Sequence, residues 1–219
     1  LSNLKTHIKH FSKLLQKNII LIDIGCGTKP YYSLFDSTVN YIGIEAFCSG
    51  RTDKNKTADL YFDGIHLPLE NNSVDAILCT QVLEHASHAK DLIQEIRRVM
   101  KPGATGLITV PFMWGEHETP YDFRRFTSFG IKKFISENNL QVTQYDKCCS
   151  GIEAIQTLIF SEFNNFKDNI RICNTKFETL KFQIIDKFCH KAILLLMKVL
   201  NRFYKFDRIY IDNVVLFKK

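Results

Sequence analysis

The run Ile19-Ile20-Leu21-Ile22-Asp23-Ile24-Gly25-Cys26-Gly27 constrains this chain more than any other stretch. An apolar segment with no polar face suits a strand at the centre of a parallel sheet, covered on both sides. The two glycines that follow allow a sharp turn and a close approach of backbone to a ligand. Pro30 then stands where a helix would begin, its fixed φ suited to a first helical turn. Strand, glycine turn and helix start together define a nucleotide-type pocket at the carboxyl edge of a sheet. A dinucleotide pocket asks for a third glycine, in the pattern G-x-G-x-x-G. Here Gly25 and Gly27 lead into Thr28, Lys29, Pro30 and Tyr31. Asp23 would also repel a pyrophosphate, whereas it would attract a cationic ligand.

The bulk composition bounds the answer. With 219 residues, 45% hydrophobic and 24% charged, the chain fits one α/β domain with additions. A net charge of +6 does not by itself imply nucleic acid, which calls for basic clusters. The seven cysteines are odd in number and form no C-x-x-C pair; no metal site is expected in the chain, and a reducing, cytoplasmic setting is. The first ten residues carry no apolar core of signal-peptide type, and no apolar run is long enough to span a bilayer.

Strands and helices alternate along the chain. A helix is expected over 4–17, then strands at 19–24, 41–45, 58–62, 74–80 and 106–110, with a short helix at 31–36. Ser87 is the expected cap of a helix in which Leu92, Ile93, Ile96, Val99 and Met100 recur at helical spacing, and Lys101-Pro102-Gly103 is its expected stop. The alternation implies a parallel sheet of βαβ units. Beyond it come an irregular aromatic-rich loop at 111–127, a helix near 128–137, a strand at 141–147, helices at 152–166 and 176–204, and a last strand at 210–217.

Two further stretches narrow the pocket. Glu45 ends a strand about twenty residues after the glycine turn, where a carboxylate accepts hydrogen bonds from ribose hydroxyls. Asp63-Gly64 is followed by Leu67-Pro68-Leu69, Ser73-Val74-Asp75 and Val82-Leu83-Glu84-His85. These motifs, with Asp23-Ile-Gly-Cys-Gly and Lys101-Pro102-Gly103, resemble those of class I S-adenosylmethionine (SAM) methyltransferases of the small-molecule, type 11-like family. The resemblance spans about residues 19–147 and departs from the family's first motif at Lys29. It implies an α/β, Rossmann-like fold: a seven-stranded sheet with helices on both faces, six strands parallel and the C-terminal one antiparallel. It also implies an enzyme that uses SAM and releases S-adenosylhomocysteine. Carried over residue by residue, Asp23 would face the cationic end of SAM. Gly25, Cys26 and Gly27 would line its methionine part, Glu45 would hold the ribose, Asp63 and Gly64 would meet the adenine, and Gln81 would lie beside the transfer site. His85 matches a family landmark, with helix-start packing as its alternative role. Asp75, at a strand start, reads as structural.

The loop from Pro111 to Thr127 holds the expected acceptor site. Its His117-Glu-Thr-Pro-Tyr121-Asp-Phe-Arg124-Arg125-Phe-Thr segment resembles that of a bacterial subgroup associated with surface-polysaccharide and related small-molecule pathways. His117 and Tyr121 are the candidate catalytic bases, and Trp114, Arg124 and Arg125 the candidate acceptor-binding residues, arginine being suited to a carboxylate or phosphate. Pinning of the loop is the alternative role for Asp122 and Arg125. Cys79-Thr80-Gln81-Val82 stands where base- and amide-nitrogen methyltransferases carry an Asn-Pro-Pro-aromatic motif, which argues against that class.

Residues 176–208 hold eight Lys/Arg and three Asp/Glu, a net +5, beside a broad apolar helical face. Such a segment suits packing on the domain, peripheral contact with an anionic inner-membrane surface, or a homodimer contact. The reading is a single methyltransferase domain over 1–219 with a helical insertion or lid at about 151–208. Its acceptor would be small or lipid-linked and polar, a saccharide or cell-surface polysaccharide precursor included, and nucleic acid is not expected. The rivals are an NAD-dependent oxidoreductase and a non-catalytic SAM-binding protein of the same fold.

Overall fold

A computed structural model describes residues 2–47, 57–173 and 207–219, together with positions 195, 196 and 199. Most of the expected helix at 176–204 lies outside the described residues. The chain divides into two compact units, Leu1–Cys148 with Asp212–Lys219, and Cys149–Ile211.

The first unit is built on β1 (Ile20–Ile24), β2 (Asn40–Ala46), β3 (Leu60–Phe62), β4 (Val74–Thr80), β5 (Met100–Pro111), β6 (Gln141–Ser150) and β7 (Tyr210–Lys218). They form one sheet in the order β3-β2-β1-β4-β5-β7-β6. Six strands run parallel and β7 antiparallel, as the resemblance implies. The chain leaves β1 toward β2 and β3, then returns to place β4 on the other side of β1. That reversal is the switch point at which open α/β sheets bind ligands. β1 is buried because both its neighbours pair with it, Asp23 beside Gly43 of β2 and Leu78 of β4.

Packing follows from the apolar pattern. α1 (Ser2–Leu14) buries Leu4, Ile8 and Phe11, one face at helical spacing. α2 (Ala89–Val99) buries Leu92, Ile93, Ile96 and Val99 in the core cluster. Each fully buried aliphatic side chain there contributes about 1.5–3 kcal/mol. Ser87 does not cap this helix: His88 holds the cap position and supplies no side-chain bond. α3 (Ser128–Glu137) does have its cap, the Thr127 hydroxyl accepting from the Gly130 amide at 3.0 Å. β5 starts earlier than expected, at Met100, because Met100 pairs with Val74 across an irregularity in the β4–β5 register. Lys101-Pro102-Gly103 therefore ends the helix inside a strand. Gly106 faces Phe217 on β7, and a Cβ at that position would lie 2.3 Å from the ring, so only glycine admits the fully buried phenyl.

Two polar ties fix the lower edge of the sheet. Asp75 accepts from the Ile20 amide at 3.0 Å and the Lys101 ammonium at 2.7 Å, joining the starts of three strands. Burial opposes its ionisation, yet these two donors hold its carboxyl below the usual range. Arg98 donates to Glu95, to the Leu67 and Leu69 carbonyls and to Asn71, which closes the turn-rich connection into β4.

In the second unit, α4 (Ile152–Cys173) begins after Gly151, whose amide donates to the Ile209 carbonyl at 2.7 Å. Leu195, Leu196 and Val199 are exposed. No helix among the described residues is long and apolar enough to cross a membrane.

Candidate active site

A cavity of about 390 Å³ opens at the carboxyl ends of β1, β2, β3 and β4. Gly25, Glu45, Asp63, Gly64, Gln81 and Tyr121 line it, so five of the eight expected cofactor residues and one of the two expected catalytic residues converge on one space. His85, Glu118 and Phe123 complete the side toward the 111–127 loop.

The glycine turn is shaped by what it must avoid. Gly25 has φ +68°, and a Cβ there would sit 2.4 Å from a Val82 methyl. Its amide donates to the Ile44 carbonyl at 2.8 Å, which seats the turn on β2. Gly27 lies one step deeper, its amide donating to Glu45 Oε2 at 2.9 Å. The turn and the ribose-type acid are thus one hydrogen-bonded unit. Cys26 faces away from the cavity, packed where a Cβ on Gly43 would meet its sulfur at 2.7 Å. Burial, and then the charges of Asp23 and Glu45, push its thiol up to about 12, so it acts as a small apolar group.

Asp23 does not line the cavity. It is 1% exposed, its Oδ2 accepts from the Tyr41 hydroxyl, and its Oδ1 has no partner. Burial raises its pKa to about 7, opposed by the Tyr41 hydrogen bond and aided by the nearby Glu45 charge. An orphaned carboxylate oxygen two residues before the glycine turn fits a site for a cationic ligand. Asp63 differs in kind. Its Oδ1 accepts from the amides of Ile65 and His66 at 2.8 and 2.6 Å, and its Oδ2 meets His66 Nδ1 at 2.7 Å. The His66 ring, then the two amides, hold it down at about 2. Asp63 is thereby an ordered anion at the cavity edge rather than an open pair of acceptors.

Gln81 adopts a left-handed conformation, φ +56°. Its amide N–H donates to the Thr109 carbonyl at 2.9 Å and its side-chain Nε2 to Thr109 Oγ1 at 3.1 Å. Its side chain also bonds Asp212 of β7, whose pKa burial raises to about 6. These bonds to β5 and β7 hold Gln81 in a backbone region that side chains seldom adopt. Nothing in its type or spacing foretold the conformation.

The acceptor loop departs most from expectation. Arg124 does not face the cavity: it donates to the Leu83, Ala86 and Ser87 carbonyls and clamps the segment that leads into α2. Arg125 forms a bidentate pair with Asp122 at 2.5 and 2.7 Å and also reaches the Trp114 and Gly115 carbonyls. Both guanidiniums are spent on the chain, so neither meets an acceptor anion. Asp122 is held well below the usual carboxylate range, first by Arg125 and then by the His117 amide, against the cost of burial. Trp114 lies off the cavity, and its carbonyl serves Arg125. Asn213 of β7 closes the loop from below, donating to the Phe126 carbonyl at 2.8 Å while accepting from the Tyr145 hydroxyl at 2.9 Å.

His117 also lies behind the cavity wall. Its Nε2 is 3.2 Å from Nε2 of His85, and it is His85 that reaches the cavity. Of the candidate proton acceptors, Tyr121 and its neighbour His85 line the cavity, with His117 one step removed. Beside them, Glu84 is fully buried with neither carboxylate oxygen partnered. Burial, with the charges of Asp212 and Asp122, raises its pKa to about 8, while its own amide and Arg125 pull the other way.

A seven-stranded sheet in this order, with a glycine-turn cavity at its switch point and an acid ending β2, defines a class I SAM methyltransferase fold. The comparisons with known proteins carry this further. Residues 22–108 match the family model described as a methyltransferase domain. An uncharacterized protein of Methanocaldococcus jannaschii is 36% identical over 87 residues, covering 39% of this chain and 38% of the relative. The tRNA (carboxymethyluridine(34)-5-O)-methyltransferase of Arabidopsis thaliana is 34% identical over 109 residues, 46% of this chain and 26% of the relative. The chain thus spans about two fifths or less of the length of these curated relatives. A SAM-dependent methyltransferase from Archaeoglobus fulgidus superposes with a TM-score of 0.56 at 13% identity, over 99% of this chain and 93% of that one, which shows the shared fold. SAM is the cofactor of this domain class.

Proposed function

We propose that this protein transfers the methyl group of SAM to a small or lipid-linked polar acceptor, of the kind a saccharide or polysaccharide precursor represents. The observation that carries the reading is the convergence of Gly25, Glu45, Asp63, Gly64 and Gln81 on one cavity, beside the orphaned Asp23 oxygen. When bound, SAM supplies an electrophilic methyl carbon on a sulfonium. The protein's part is then alignment, exclusion of water and removal of one proton from the acceptor.

Glu45 and Gly27 would hold the ribose side, and Asp23 would offset the positive charge through the turn. Asp63, held anionic by its own turn, would meet the base at the cavity edge. Tyr121 and His85 would face the acceptor, on the side of the cavity where the attacking oxygen or nitrogen would lose its proton. Phe123 and Leu92 supply apolar wall, which suits an acceptor with an apolar part next to its polar group.

Calorimetric titration with SAM, S-adenosylhomocysteine and NADH tests the cofactor. The reading expects binding of the first two and none of the third. Binding of NADH alone would return the chain to the oxidoreductase class. Release of S-adenosylhomocysteine on screening hydroxylated and amino-sugar acceptors tests the transfer.

A further inference from the structure

Glu84, His85 and His117 each offer one donor atom, and the three atoms lie within 4.8 Å of one another. Glu84 Oε1 is 3.9 Å from His85 Nε2, and the two imidazole Nε2 atoms are 3.2 Å apart. The partners on the far side of each ring fix the tautomers. His85 Nδ1 meets the Tyr121 carbonyl at 2.8 Å, and a carbonyl can only accept, so Nδ1 carries the hydrogen. His117 Nδ1 meets the Gly115 carbonyl at 3.2 Å and Asp122 Oδ2 at 3.4 Å, again acceptors. Two neutral rings so tethered turn their Nε2 lone pairs on each other. Lone pairs at that separation repel unless a positive centre lies between them. Glu84 adds a fully buried carboxylate that accepts no hydrogen bond from any other described residue. Arg125, the nearby cation, is committed to Asp122. Among the described residues, the arrangement is three donors around a point to which no cationic side chain is bonded.

We propose that Glu84, His85 and His117 bind a divalent transition-metal ion of the zinc class at the wall of the cavity. Two imidazoles and one carboxylate are a donor set for such an ion, and three protein ligands leave a fourth position open, as catalytic sites do. The spacing of the two ring nitrogens supports it. A tetrahedral ion with metal–nitrogen bonds of about 2.0–2.1 Å places its ligand atoms about 3.3–3.4 Å apart. The 3.2 Å between the ring nitrogens lies beside that edge length, while the carboxylate, 3.9 Å from His85 and within 4.8 Å of His117, must move inward to complete the triangle. The Nδ1–H bonds to the Tyr121 and Gly115 carbonyls are the supports that metal-bound histidines carry. Because His85 lines the cavity, the fourth ligand comes from the cavity side. The use of the ion rests on the methyl-transfer reading: a bound metal lowers the pKa of an acceptor hydroxyl, which then gives up its proton more readily.

The test is titration of chelator-treated, desalted protein with zinc chloride by calorimetry, repeated with cobalt chloride by absorption spectroscopy, without SAM or acceptor. The wild type is expected to take up one ion per chain and to give the intense visible absorption of four-coordinate cobalt. His117→Ala and Glu84→Gln are expected to weaken zinc binding at least tenfold and abolish that band. His10→Ala, on the exposed face of α1, is expected to leave both unchanged. Absence of zinc uptake by the wild type, or equal uptake by wild type and His117→Ala, overturns the proposal; the ring pair then shares a proton instead. If the buried Glu84→Gln does not fold, His117→Ala, on the loop, decides alone. SAM binding measured on the metal-free wild type separates failure of this site from failure of the cofactor reading.

Discussion

Asp23→Asn should make the ligand-free protein more stable at pH 8 and less stable at pH 4. Asp23 is 1% exposed, and burial raises its pKa from 3.8 to about 7. A carboxyl raised on folding favours the native state while it is protonated. Its contribution is intact below about pH 4, falls progressively between about pH 4 and 7, and is level above that, where both states are ionised. A shift of roughly three units at 1.36 kcal/mol each costs the wild type about 4 kcal/mol at pH 8 and almost nothing at pH 4. Asparagine keeps the shape and can still accept from the Tyr41 hydroxyl, but it leaves a buried amide donor unpaired, about 1–3 kcal/mol at every pH. The difference between the proteins should therefore change sign between about pH 4.5 and 6, with the variant ahead by about 1–3 kcal/mol at pH 8 and behind by a similar amount at pH 4. Urea unfolding at half-unit pH intervals measures it. SAM carries positive charge, so its affinity for the wild type should rise through pH 7, and for the variant it should stay flat and weaker. Stability curves that run parallel for the two proteins from pH 4 to 8 would refute the raised pKa and the electrostatic role derived from it.

Gly25→Ala should abolish detectable SAM binding by calorimetry, since its Cβ would lie 2.4 Å from a Val82 methyl at a φ of +68°. Glu45→Gln weakens a charge-assisted bond to the Gly27 amide as well as any ribose contact. SAM and S-adenosylhomocysteine affinities should fall together by about 10–100-fold, as bonds to charged groups of about 1.5–3 kcal/mol imply. Asp75→Ala should lower stability by about 1–3 kcal/mol through the orphaned Ile20 amide and freed Lys101, with SAM affinity unchanged in the folded protein. Arg125→Lys loses the bidentate pair with Asp122, so turnover should drop while SAM affinity holds, a split that steady-state kinetics and calorimetry read together.

The cofactor half of the molecule was legible because its groups lie at or near strand ends. Asp23, Gly25, Gly27, Glu45 and Asp63 sit where β1, β2 and β3 stop, so finding the strands placed the residues. The seven-stranded sheet and the antiparallel β7 came with the resemblance. The acceptor half was less legible, for a physical reason. Its residues are set by ties across long sequence distances: Arg124 to the carbonyls of 83–87, Asn213 to the Phe126 carbonyl, Gln81 to Thr109. Arginine in an aromatic loop has the same composition whether it meets a ligand or a carbonyl. Hence Arg124 and Arg125 read as anion binders and fold as clamps, while His85, read partly as packing, reaches the cavity. The Glu84–His85–His117 cluster has no spacing signature, because its third member arrives from a loop 32 residues later. The expected helix at 176–204 lies mostly outside the described residues, so its membrane and dimer readings remain expectations of charge and pattern.

The buried acids around the cavity are better understood together than singly. Asp23, Glu84 and Asp212 are all at most 7% exposed, and burial raises the pKa of each. Three apolar residues of similar volume would make a more stable wall, because an uncompensated buried charge costs several kcal/mol. The cost is smallest when a cation is present, so these groups tie the stability of the fold to occupancy by positive charge. A sulfonium near Asp23 and a metal ion near Glu84 would each relieve one of them. The two effects should then be additive only in part, since Asp212 raises Glu84 and links the loop side to Gln81 at the cavity. Stabilisation by SAM and by zinc, measured singly and together, would show that coupling as a shortfall from the sum. Full additivity would mean that the two halves of the cavity are electrostatically independent.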